Sequence, residues 1–196
     1  MIRYKKNPGR NVGSIEVDGK QYQAKYIGKG QYSKVYRVGD RVVYYTRGDC
    51  GKEVLAQFQY DRMAHLPELI RHENVTVRPG SIWYVFSSPF YRDVTTKDRS
   101  AYKMMKEIVR VVSTLHSILY CKKYRDIELM QEIVTHIETQ GHQYGILPRS
   151  VVKALQEIVD VASNCGNKVG FDLHKKNFGV NEYGTLIFRD PIYVRE

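Results

Sequence analysis

The sequence predicts an α+β fold in two parts, a β-rich lobe over residues 1–88 and a helical lobe over 89–196. Three observations predict it. As far as Ser88, short apolar–polar runs are broken by Asp-Gly, Gly-Asp and Pro-Gly pairs; beyond Pro89 the apolar period lengthens from two to about 3.6. A chain of 196 residues with 42% hydrophobic content can bury one substantial core, or one core split between two small lobes.

In chain order, Ser14 to Val17 and Gln21 to Ile27 flank Asp18-Gly19 and read as a hairpin. A second hairpin runs from Ser33 to Val38 and back from Arg41 to Thr46 around Gly39-Asp40. Glu53 to His65 reads as a helix, with Leu55, Phe58, Gln59 and Arg62 at roughly one-turn spacing. Strands at Thr76 to Arg78 and Ile82 to Phe86 follow, separated by Pro79-Gly80. In the second lobe Met104, Ile108, Val111, Leu115 and Ile118 mark a helix over Ser100 to Tyr120. Met130, Ile133, Val134 and Ile137 mark the next, and Val151, Leu155, Ile158 and Ala162 a third, opened after Pro148 and closed near Gly166. The chain then ends in a short hairpin-like stretch.

The first ten residues are basic and polar, and no run of roughly 18 apolar residues follows, so neither secretion nor membrane spanning is indicated. Cys50, Cys121 and Cys165 are odd in number and widely spaced, which points to a reduced, cytoplasmic protein with no disulfide framework and no zinc site. The net charge of +10 is spread over the chain, and its clusters at Arg3/Lys5/Lys6/Arg10 and Lys122/Lys123/Arg125 read as solvated faces. The sixteen tyrosines fall mostly in strand-like runs, where they serve packing, so nucleic acid ranks last among the partners considered.

The chemistry is concentrated near the C-terminal end, in Phe171-Asp-Leu-His-Lys-Lys-Asn177 and Asp190-Pro191. Asn177 follows Asp172 by five residues and Asp190 follows Asn177 by thirteen, the spacings at which protein kinases place a catalytic Asp and two magnesium ligands. Asp172 is then the catalytic base, with Asn177 and Asp190 as metal ligands. His174 would orient the base or contact phosphate, an arrangement that also resembles the D-x-H of small-molecule phosphotransferases. Upstream, Gly28-Lys29-Gly30-Gln31-Tyr32-Ser33-Lys34-Val35 resembles the kinase Gly-rich loop, with Ser33 where the third glycine usually lies. Glycines let backbone N–H groups approach phosphates without a Cβ in the way, and Val35 is placed to cover an adenine.

Together these segments resemble the early serine/threonine protein kinase of podophages related to the T-odd coliphages. The resemblance lies in Phe171 to Asn177, in Phe188-Arg-Asp-Pro191 and in Gly28 to Ser33, and in motif order it spans Tyr26 to Tyr193. It implies a minimal two-lobe kinase-like fold, truncated after the metal-binding Asp, that uses ATP and Mg²⁺ to phosphorylate host proteins in the host cytoplasm during infection. Two departures qualify it. Tyr44 occupies the position expected for the strand Lys that grips the α- and β-phosphates, which leaves Lys29, Arg47 or Lys52 to supply a cation and Glu53 as its helix partner. Few residues follow Pro191, so an activation segment and peptide-docking helices are not expected. A pseudokinase that binds and inhibits a host protein is therefore the alternative, and a small-molecule phosphotransferase the third reading.

Overall fold

The computed structural model describes residues 2–5, 12–17, 20–29, 33–57, 63–72, 74–78, 81–120, 126–139, 147–166 and 168–194. The chain forms an α+β structure of two compact units, one of residues 1–56 with 68–90 and one of residues 57–67 with 91–196. Among the described residues no helix is long and apolar enough to cross a membrane.

The first unit is built on an antiparallel sheet whose neighbours run β1 (Ile2–Lys5), β2 (Val12–Val17), β3 (Lys20–Lys29), β4 (Ser33–Val38), β5 (Arg41–Thr46), then β8 (Ser81–Pro89). On its other edge β8 pairs with β6 (Ile70–Arg71) and β7 (Val75–Arg78). The β4–β5 hairpin matches the sequence reading because alternation and turn agree: Gly39 takes φ 61, the left-handed region that a tight turn needs and glycine adopts without penalty. The Asp18-Gly19 and Pro79-Gly80 turns lie outside the described residues.

Alternation divides the sheet into two faces. One carries Ile15, Ala24, Tyr36, Val38, Val43, Tyr45, Trp83 and Val85, packed as a single core with Tyr26 against it. Edge-to-face contacts link Tyr26 to Tyr36 and Tyr36 to Tyr45, so part of the tyrosine excess is core material. The other face carries Val35 directly opposite Tyr44, and Ser33 opposite Thr46.

Helix α1 is described over Cys50–Gln57, starting earlier than expected. Residues 58–62 lie outside the described set, and residues 63–67 are not helical. His65 has φ 77, which is incompatible with a continuing right-handed helix. It is held there by the second unit: its Nδ1 lies 2.8 Å from the Leu186 carbonyl, its Nε2 3.0 Å from Ser150 Oγ, and its own carbonyl accepts from Phe188 N at 2.7 Å.

The second unit contains α2 (Arg99–Tyr120), α3 (Asp126–Thr139) and α4 (Arg149–Ser163), with two small sheets. The expected Ile108, Val111 and Leu115 of α2 are buried, joined by Met105, Val112 and Leu119, while Ile118 is 51% exposed. β10 (Val169–Phe171) pairs with β13 (Ile192–Val194), and β11 (Phe178–Val180) lies between β9 (Arg92–Asp93) and β12 (Leu186–Phe188). The reduced-cysteine expectation is corrected, since Cys50 and Cys165 are both disulfide-bonded. Sequence spacing does not reveal a disulfide, because the bond requires proximity in space.

Candidate functional site

The residues singled out near the C-terminal end are brought together at one corner of the second unit. Asp172 leaves β10, and its backbone N–H donates to the Pro191 carbonyl at 2.8 Å, extending the β10–β13 ladder and setting Asp172 beside the Asp190-Pro191 segment. A short 3₁₀ turn over Lys175–Asn177 then reverses the chain, opened by His174, whose ring Nδ1 accepts from Lys176 N at 3.3 Å. Asn177 closes the turn, and its carbonyl accepts from Arg189 N at 2.7 Å, next to Asp190. The Asn177 side chain completes the triangle by donating Nδ2 to the Asp172 carbonyl at 2.7 Å. Three hydrogen bonds thus tie together three segments that are separate in sequence.

This geometry has chemical consequences. With its Nδ2 committed, Asn177 presents its amide oxygen as an acceptor. Asp172 has a side chain 36% exposed and lies 3.5 Å from His174 Nε2 through its Oδ1, leaving the carboxylate accessible while a neighbour restrains it. Asp190 is half-buried. Carboxylate and amide oxygens of this kind suit a hard divalent cation such as Mg²⁺, which takes few protein ligands and leaves the rest to water and phosphate. Among the described residues no three His, Cys, Asp or Glu side chains cluster as a metal site.

Arg189 is a contributor that the sequence reading missed. Its guanidinium donates to the Lys176 carbonyl at 2.7 Å, to Asp93 Oδ1 at 2.8 Å and to the Tyr91 carbonyl at 3.2 Å, clamping the 3₁₀ turn and the strand before Asp190 to β9. Its position immediately before Asp190 was the available signal. Gly179 makes room for it, since a Cβ there would lie 2.9 Å from Arg189 Cδ.

In the first unit, Gly28 sits at a register shift between β3 and β4, and Lys29 follows it, exposed. A Cβ at Gly28 would meet nothing within 4 Å, so local crowding does not demand a glycine there. Gly30 lies outside the described residues. Ser33 is buried and donates to Asp49 Oδ2 at 3.3 Å, and Val35 is half-buried beside Tyr44. The Tyr44 hydroxyl is 3.3 Å from Ser88 Oγ. Glu53 is half-buried in α1 and forms no ion pair among the described residues; the acidic partner near the helix start is Asp49, 2.9 Å from Lys52 Nζ.

No family model matches the chain, and no curated protein matches it.

Proposed function

We propose that this chain is a Mg-ATP-dependent phosphotransferase of minimal two-lobe kinase-like design, acting on serine or threonine hydroxyls of host proteins, as the resemblance to the podophage early kinases implies. The observation that carries the reading is the hydrogen-bonded triangle joining Asp172, Asn177 and the Asp190-Pro191 segment. A spacing motif arising by coincidence has no reason to close on itself in space.

In this reading the accessible Asp172 carboxylate orients the acceptor hydroxyl and takes its proton. The acceptor oxygen forms a bond to the terminal phosphorus, the bond from that phosphorus to the bridging oxygen breaks, and ADP leaves. His174, 3.5 Å away, restrains the Asp172 carboxylate. The Asn177 and Asp190 oxygens would hold Mg²⁺, which when bound neutralises phosphate charge. Incubation with γ-labelled ATP, Mg²⁺ and cell lysate tests the reading: label should pass to protein with wild type and be lost with Asp172→Asn.

A pseudokinase that sequesters a host protein is the second reading, favoured by Tyr44 standing where a strand Lys is expected. It predicts unlabelled lysate and a captured partner whose binding survives Asp172→Asn.

A further inference from the structure

Strand parity separates the three cations that could replace the missing strand Lys. Lys29 pairs with Lys34, and Lys34 pairs with Tyr45, so all three share the core face of the sheet. Arg47 alternates onto that face too and stacks on Trp83, its guanidinium carbon 4.2 Å from the ring centroid. Both lie on the side opposite Val35 and Tyr44. Lys52 does not: its Nζ stands 5.5 Å from the Tyr44 ring centroid, over the face that Val35 shares.

The environment of Lys52 is unusual for a lysine. The residue is 4% exposed, although burying an ammonium group in a small domain is costly unless it is paired. Asp49 provides the pairing, with Oδ2 at 2.9 Å from Nζ and Oδ1 accepting from Lys52 N at 3.1 Å. The same Oδ2 accepts from Ser33, the residue that ends the Gly-rich segment. Opposite Ser33 in the ladder, Thr46 is fully buried, and its Oγ1 has no hydrogen-bond partner among the described residues. A buried ammonium held by a carboxylate, one hydroxyl bonded to that carboxylate and a second without a partner among the described residues form a polar group on the face of the sheet opposite its main core. Such a group calls for a ligand bearing several oxygens.

We propose that Ser33, Thr46, Asp49 and Lys52 form the phosphate-binding site of this chain, with Lys52 the cation that grips the polyphosphate of a nucleotide and Asp49 its positioning partner in place of Glu53. The inference rests on the phosphotransferase reading and adds to it a charge donor delivered from the helix start rather than from the strand. Tyr44 then serves as a platform for the ammonium group, and no strand lysine is needed.

Calorimetric titration with ADP, ATP and adenosine in EDTA tests it on the full chain. Lys52→Met should weaken ADP and ATP by at least about tenfold and leave adenosine unchanged, while Lys29→Met and Arg47→Met should alter none of them by more than about twofold, because one buried charge-assisted contact is worth roughly that much. Lys52→Met leaves Asp49 without its cation and could misfold. The double variant Asp49→Asn/Lys52→Met removes the pair without stranding a charge and should show the same selective loss. Equal ADP affinity in wild type and the double variant, or an equal loss of adenosine, would overturn the assignment while leaving the nucleotide reading intact. A wild type that binds none of the three ligands, with or without Mg²⁺, would overturn both.

Discussion

Gly179→Ala should destabilise the protein more than its single added methyl suggests. A Cβ at this position would lie 2.7 Å from Tyr91 Cβ and 2.9 Å from Arg189 Cδ. Carbon atoms pack at about 3.5–4.0 Å, so roughly an ångström must be found. Tyr91 is 5% exposed and its Cβ is fixed to the backbone, so no side-chain rotation relieves that contact. The strand pairing of Gly179 with Asp93 on one side and Ile187 on the other resists a shift of β11 itself. Overpacking of this kind costs about 1–3 kcal/mol. Taking about 2 kcal/mol, and about 2–4 °C per kcal/mol for a domain of this size, the melting temperature should fall by about 4–8 °C. Gly170→Ala is the control, because its close neighbours are the outer atoms of the Tyr193 ring, which can swing aside, and a smaller fall is expected. Thermal unfolding followed by circular dichroism measures both. A Gly179→Ala melting temperature within about 1 °C of wild type would refute the packing argument, since even the minimum overpacking cost of about 1 kcal/mol would lower it by about 2 °C or more.

Three further outcomes are expected. Burial holds the His65 pKa below its ordinary value, against a smaller opposing effect of the hydrogen bond to the Leu186 carbonyl, so the unfolded state takes up a proton at higher pH than the native one. Stability should therefore decline as pH falls through about 6.5 towards the native pKa, and His65→Asn, whose side chain tolerates the left-handed backbone, should flatten melting temperature against pH in that window. Asp98 is held well below the usual carboxylate range by the Arg92 side chain and the Thr95 amide, so its contribution should be full above about pH 4 and fade as pH falls below it; Asp98→Asn should lower the melting temperature above about pH 4, by an amount that shrinks progressively below it. Arg189→Met should leave the fold intact but raise the Mg²⁺ concentration for half-maximal phosphotransfer by about tenfold, the scale of losing a residue that orients ligands; an unchanged Mg²⁺ requirement would show that the clamp is structural only.

Legibility in the sequence depended on the range of the forces involved. The β4–β5 hairpin could be read to the residue because alternation and a left-handed glycine are local properties. The non-helical backbone at His65 could not, because it is set by contacts with Leu186 and Ser150, far away in the chain. The α2 stripe was off by one position at Ile118, as the burial of Leu119 is decided by packing within the second unit. The meeting of the Asp172, Asn177 and Asp190-Pro191 segments follows from the short connections that join them. The Lys52–Asp49 pair and the clamp formed by Arg189 were not read from the sequence; the clamp's partners Tyr91 and Asp93 lie in another part of the chain.

The most direct test of the central claim is transfer of γ-labelled phosphate from Mg-ATP to lysate proteins by wild type, Asp172→Asn and Asp190→Asn, each first shown to melt like wild type. Phosphoserine or phosphothreonine should appear with wild type, and removing either carboxylate should reduce the rate by about a hundredfold or more, the scale of losing a catalytic base or a metal-held charge. Transfer that persists in both variants, or its absence from well-folded wild type, would contradict the assignment of this corner as a phosphotransfer site.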